Sequence, residues 1–280
     1  MASLQRHTVN ELAWLTDDVC EQVSFAFTER SGGVSAGEWS SLNLGASCAD
    51  DPSCVEKNRR IALTCVGAEG LYDRLVNPHQ VHGDDVALLT ADAVAAEGGL
   101  EAIQAQVKEG VDAVVCTAAD VPVMLCFADC VPVVLVDPAG RGFAIAHSGW
   151  RGTIARIGAK AARELACAAG CEVADLVAYV GPHIGAADYE VSGDLLARFV
   201  GEFGPGCDAG DNHLDLGFCV REALVGAGIA PGNIAECEDS TASNTHRFFS
   251  YRAQGGKCGR HAAIAVLHGS ASQVASKGEA

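Results

Sequence analysis

The chain has 280 residues, 49% of them hydrophobic, enough for a substantial core in one large domain or two small ones. Its 19 basic and 36 acidic residues give a net charge of −17, which argues against a nucleic-acid partner but leaves room for small anions held by a few local arginines. Thirteen scattered cysteines cannot all pair, and there is neither a basic-then-apolar leader nor an apolar run of membrane-spanning length. The expectation is a soluble cytoplasmic protein whose thiols mostly serve as small buried hydrophobes.

Residues 1–20 read as an N-terminal extension before the first predicted strand, 23–28, and the turn-prone 31–35. In the loop 40–45, Asn43 suits either a turn that bonds its own backbone or a pocket wall. Asp51-Pro52 reads as an N-cap with proline at the first helical position, opening a helix to about residue 66 that carries Asn58 and Arg59. Arg59 is either a solvated helix charge or an anion ligand.

Asn77-Pro78-His79-Gln80-Val81-His82-Gly83 leads into a strand over 86–90. Alternation along an extended segment sends His79 and Val81 to one side and Gln80 and His82 to the other. Residues 91–110 are acidic and alanine-rich, which predicts an exposed helix; strands follow over 111–117, 121–127, 131–136 and 143–146. Asp112 and Asp129 interrupt those apolar runs, each either a turn cap or part of a site, since an unpartnered aspartate there is costly.

The two strands flanking Asp137-Pro138-Ala139-Gly140 predict a hairpin, with Cys130 just before the first and His147 just after the second. A hairpin brings its ends together, so this thiol and imidazole are either metal ligands or a Cys-His pair. His82 is the candidate third ligand. Three protein ligands with an open fourth position suit a catalytic zinc, whereas a structural zinc would take a fourth ligand from His79 or Cys126. Cys126-x3-Cys130 and Cys167-x3-Cys171 are weak metal spacings by themselves.

Gly149-Trp150-Arg151-Gly152-Thr153 leads to a helix over 154–167, with glycines that permit close backbone approach to an anion. A strand over 176–180, helices over 194–203 (capped by Ser192) and 214–227, and strands over 234–236 and 262–267 complete the chain, with a disordered tail over 270–280. No solenoid repeat and no clean linker appear, so residues 21–269 form one α+β domain.

Five segments in order, Asn77 to Gly83, Ala128-Asp129-Cys130-Val131-Pro132, Ala146 to Gly152, Gly181-Pro182-His183-Ile184 with Tyr189-Glu190-Val191, and Phe248-Phe249-Ser250-Tyr251-Arg252, resemble the bacterial YfiH/laccase-domain family. The departures are Ser148, where alanine is common, and Glu238 after Cys237, where threonine is often found. The resemblance implies a layered α/β/β/α sandwich of mixed sheets, distantly similar to a cysteine-hydrolase-like toxin domain. It places the family's metal ligands on His82, Cys130 and His147, its early loop on Ser41-Leu42-Asn43-Leu44 and its helix motif on Asn58-Arg59. It implies purine nucleoside phosphorolysis, phosphate plus nucleoside giving base and ribose 1-phosphate, with adenosine deamination at the same zinc site. The expected partners are purine nucleosides and phosphate, with no nucleic acid and no membrane, in a monomer or homodimer.

Arg59, Arg151 and Arg252 are the candidate anion ligands, Asn43 a further substrate contact, and Asp129 or Glu190 the candidate acid or base for deamination. Two other readings remain: Cys130 as a nucleophile with His147 as base in an amidase acting on peptidoglycan precursors, and a copper-dependent polyphenol oxidase. Copper is the alternative metal, although the nine histidines lack the His-x-His and His-Cys-His patterns of a multicopper oxidase.

Overall fold

The computed structural model describes residues 2–269; the tail expected over 270–280 lies outside the described residues. In chain order the elements are β1 (Gln5–Val9), β2 (Leu12–Thr16), β3 (Val23–Thr28), α1 (Pro52–Leu63), β4 (Val86–Leu89), α2 (Ala91–Ala95), α3 (Gly99–Gln106), β5 (Ala113–Cys116) and β6 (Val123–Phe127). There follow β7 (Val131–Val136), β8 (Phe143–Ser148), α4 (Trp150–Ile154), α5 (Ile157–Ala169), β9 (Val177–Val180), α6 (Gly193–Phe203), α7 (Leu216–Ala227), β10 (Ile234–Glu236) and β11 (His261–Leu267).

Two sheets form. An antiparallel one has the order β1-β2-β3-β11-β6, and a mixed one has the order β10-β9-β7-β8-β5-β4, with β10 parallel to β9 and β4 parallel to β5. Strand alternation explains the layers. Val134 and Val136 of β7, with Phe143 and Ile145 of β8, pack with Phe25, Phe27, Leu125 and Phe127 of the first sheet, while Val131, Val133 and Leu135 pack with Ile157, Leu165, Phe199 and Leu224 of the helices beyond. On the outer face of the first sheet, Ala26, Met124 and Ile264 pack under Ala62 and Leu63 of α1. The result is the expected α/β/β/α sandwich. Because β7 is buried on both faces, its sequence is a continuous apolar run with no visible alternation.

Three expectations shift. Residues 5–16, set apart as an extension, form a hairpin that lengthens the first sheet, turning at Asn10 with φ 55°. The single helix expected over 91–110 breaks at Gly98 (φ 66°); a side chain on Gly99 would meet the Ala93 carbonyl at 2.0 Å, so the chain turns there. The helix expected over 154–167 is likewise split by Arg156, which sits at φ 57° between α4 and α5.

Candidate active site

The β7–β8 hairpin forms as expected, with Pro132 opposite His147 and Val131 opposite Ser148, which sets Cys130 beside His147. His147 lies within β8 rather than after it. Continuing the row of Phe143 and Ile145, it points between the sheets and ends against Phe127, ring centroids 5.4 Å apart. Its 4% exposure marks it as the deepest of the candidate ligands.

His82 arrives from the 77–83 loop, which is fastened along β6. The backbone bonds Val76 N to Pro122 O (2.9 Å) and Met124 N to Val76 O (3.0 Å) start it, and the Asn77 amide donates to Met124 O at 2.8 Å. Gln80 then acts as a surrogate strand residue, donating to Cys126 O and accepting from Cys126 N, both at 2.8 Å. His82 adopts φ 58°, which breaks the expected alternation, so His79, Gln80 and His82 all line one cavity and Val81 stands 44% exposed.

One donor atom from each of His82, Cys130 and His147 lies within 4.8 Å of the other two, a group able to hold a metal ion. Among the described residues, neither His79 nor Cys126 joins it, although both line the cavity. Gly149 closes the group from behind: a Cβ there would come within 2.8 Å of His82 Nδ1 and 3.2 Å of Cys130 Sγ.

Asp112, wholly buried just before β5, organises this group. Its Oδ1 accepts from His147 Nδ1 at 2.7 Å and from His82 N at 3.0 Å, and its Oδ2 from Gly83 N at 2.7 Å and Val81 N at 3.0 Å. One carboxylate thus ties the loop to the strand and leaves His147 Nε2 as the ring nitrogen able to bind a metal. Asp112 is at once a turn cap and part of the site. Burial pushes its carboxyl up, but the His147 hydrogen bond and the Gly83 and Val81 amides more than offset this and hold it below the ordinary carboxylate range. Burial likewise raises the Cys130 thiol, yet the His147 charge and hydrogen bonds from His147 and His82 bring it down to about 6. His147 is raised to about 9: burial disfavours its charge, but the Cys130 thiolate and Asp112 prevail.

The triad lines a cavity of about 690 Å³. Arg59 and Arg252 line this cavity. Asn43 does not: it is fully buried, accepting from Gly45 N at 3.0 Å and Arg260 N at 2.8 Å and donating to Asp50 at 2.9 Å, the local turn its chemistry favours. Arg151 is exposed, stacked 4.8 Å over Trp150, and outside the cavity lining. Asn58 is buried and braces the 34–43 loop through Val34 N and the Ser41 and Asn43 carbonyls.

Asp129 lines the cavity, but both its oxygens are used, one by the Thr241 hydroxyl and one by Arg252 N, each at 2.7 Å, so it braces the wall. The Glu190 side chain is exposed and off the cavity; its carbonyl accepts from Arg252 at 3.0 Å. Lys108, Arg260 and Tyr189 also line the cavity and were not singled out from sequence. Lys108 ends an acidic, alanine-rich segment and Arg260 precedes a plain apolar strand, so neither has a local motif. Tyr189 lies within the quoted Tyr189-Glu190-Val191 segment, which was the available signal.

Fold and site together define a family. A family model described as multi-copper polyphenol oxidoreductase laccase matches residues 24–268, and the chain belongs to that family. It is 35% identical over 250 residues to a Deinococcus radiodurans protein named purine nucleoside phosphorylase, covering 88% of this chain and 89% of that one. It is also 33% identical to adenosine deaminase RL5 of an unknown prokaryotic organism, covering 84% of this chain and 90% of the relative. The crystal structure of the Bacillus licheniformis hypothetical protein YfiH superposes with a TM-score of 0.82 at 28% identity, covering 94% of this chain and 98% of that chain.

Proposed function

We propose that the chain is a purine nucleoside phosphorylase that also deaminates adenosine at the same site, with zinc bound by His82, Cys130 and His147. The observation that carries this reading is the junction of that triad with basic residues, Arg59, Lys108, Arg252 and Arg260, in one cavity of a chain with net charge −17. Two imidazoles and a thiol that readily ionises suit zinc, and such an ion would supply a Lewis acid within the cavity.

The remaining work falls to the chain's own side chains. Asp112 keeps the proton on His147 Nδ1 and so presents Nε2 to the cavity. Tyr189, pushed up to about 12 by burial and the neighbouring Cys130 charge, stays protonated and donates a hydrogen bond towards the substrate. The guanidinium groups hold phosphate oxygens near the sugar, which lowers the entropic cost of bringing two substrates together. Among the described residues, no helix is long and apolar enough to cross a membrane, and we place the enzyme in the cytoplasm as a monomer or homodimer.

Two rivals remain. The order Cys130, His147, Asp112 also matches a nucleophile, its base and an orienting carboxylate, which favours an amidase as the second reading. A multicopper oxidase needs several histidine-rich sites, whereas a single His/Cys group with metal-ligand geometry occurs among the described residues. The test is hypoxanthine release from inosine, with and without phosphate, and inosine formation from adenosine, for the wild type and Cys130→Ala. Phosphate-dependent release that disappears in the variant is expected. A wild type inert towards nucleosides but hydrolysing amides through Cys130 would replace this reading with the amidase.

A further inference from the structure

We infer that Asp129 is a positioning residue: its carboxylate holds the turn 250–257 so that Tyr251 and Arg252 face the substrate cavity beside Cys130. What that turn is held to meet rests on the phosphorylase reading; the hold itself does not.

Asp129 immediately precedes Cys130 and keeps a backbone that its side chain disfavours, φ 90°. Glycine occupies that region without strain, yet the chain places an aspartate there. What the aspartate adds is two acceptors. Oδ2 accepts from Arg252 N and Oδ1 from the Thr241 hydroxyl, each at 2.7 Å, in a residue only 8% exposed. Its carbonyl accepts from Ile184 N at 2.9 Å. Cys130, Ile184, Tyr251 and Arg252 line the cavity from three separate stretches of chain, and those stretches meet at this one residue.

The turn that carries Tyr251 and Arg252 is shaped from within. Gln254 Oε1 accepts from Ser250 N at 3.0 Å, the Ser250 hydroxyl from Ala253 N at 3.1 Å, Ser250 O from Gln254 N at 3.1 Å and Tyr251 O from Gly256 N at 2.9 Å. None of these bonds fastens it to the cavity wall. Arg252 does so twice, through its backbone N–H to Asp129 and through its guanidinium, which donates to Glu190 O at 3.0 Å beside the Tyr189 ring. Tyr251 stands 55% exposed, so packing does little to fix it. Holding the turn in advance spares a substrate the cost of ordering it.

Two substitutions separate this role from general bracing. In Asp129→Asn the amide oxygen still meets Arg252 N, a fixed donor. The amide NH2 then meets the Thr241 hydroxyl, which can turn to accept but leaves its own proton buried without an acceptor. Stability falls while the turn stays held. In Asp129→Gly the backbone relaxes and the hold is lost. A brace alone would make activity follow stability in both.

The experiment measures hydrogen–deuterium exchange over 250–257, urea midpoints, and kcat/KM for inosine with phosphate, on the full chain with its metal. Asp129→Gly is expected to speed that exchange and to lower kcat/KM, each at least about tenfold, as loss of a charge-assisted hydrogen bond implies. Asp129→Asn is expected to unfold at lower urea than the wild type yet to rescue both exchange and kcat/KM to within about threefold of it. Wild-type exchange and kcat/KM in Asp129→Gly, or an Asp129→Asn as impaired in both as the glycine variant, would overturn the inference.

If Asp129→Gly fails to fold by circular dichroism, Thr241→Val takes its place. There the Arg252 bond remains, so exchange over 250–257 within about threefold of wild type supports the inference and a rise of about tenfold overturns it. A wild type inert towards inosine would sink the phosphorylase reading, and the exchange measurements alone would then decide whether Asp129 holds the turn.

Discussion

Asp112→Asn separates the organising role of the buried carboxylate from simple space filling, because the two side chains are nearly the same size. Oδ1 serves His147 Nδ1 and His82 N, and Oδ2 serves Val81 N and Gly83 N, four donors on two acceptor atoms. An amide has one oxygen. In either orientation its NH2 group faces two of those donors and leaves them without an acceptor, at about 1–3 kcal/mol each when buried. The 81–83 loop is only partly buried and water recovers some of this, so the expected loss of stability is about 2–4 kcal/mol. If the amide nitrogen faces His147 and His82 N, the ring must place its proton on Nε2 and can no longer offer that atom to a metal; if it takes the other position, the loop that carries His82 loses the Val81 and Gly83 bonds on either side of it. Metal affinity should therefore fall about 10- to 100-fold, as for other partners of metal-bound histidine. Urea unfolding of the metal-free protein reads the first quantity, and competition with a chromophoric chelator reads the second. A loss below about 1 kcal/mol with unchanged metal affinity would refute the argument.

Gly149→Ala brings a methyl group against His82 Nδ1 and Cys130 Sγ and should cost metal affinity about tenfold or more with little change in the circular dichroism spectrum; zinc competition checks it, and wild-type affinity would show that the triad does not close there. Glu29, 1% exposed, accepts from Arg6 at 2.6 and 2.9 Å and from Arg247 at 2.6 and 2.9 Å. Burial raises its carboxyl, but the two guanidinium groups hold it below its usual 4.5; the stability it supplies is present above that value and lost as the pH falls through the lower, folded one. Glu29→Gln should accordingly cost about 3 kcal/mol at pH 7 and progressively less in acid, and a deficit independent of pH in denaturant melts would contradict this. In the metal-free protein, the difference in thiolate absorbance at 240 nm between wild type and Cys130→Ser should rise through about pH 6; a midpoint near the ordinary thiol value of 9.0 would mean His147 does not stabilise the thiolate.

The layers were legible because apolar runs and turn residues fixed most strands, and the β7–β8 hairpin alone was enough to place Cys130 beside His147. The first hairpin was not, since β1 is exposed at every position and gives no alternating signal; it is recognisable only through its pairing with β2. Gly98-Gly99 marked the break between α2 and α3, but composition argued for continuous helix. In the site, the triad could be read from strand ends, whereas Lys108 and Arg260 lie 152 residues apart in sequence (260 − 108) and meet only through tertiary packing. Arg151 carried an attractive glycine-flanked motif, yet it faces outward beside Trp150.

The central claim is that the metal held by His82, Cys130 and His147 serves nucleoside chemistry, and chelator treatment followed by zinc readdition tests it most directly, with ribose 1-phosphate and hypoxanthine measured from inosine and phosphate. The account predicts about one zinc per chain, loss of both products together when it is removed, and their return together on readdition. Undiminished product formation by the metal-free protein would contradict it.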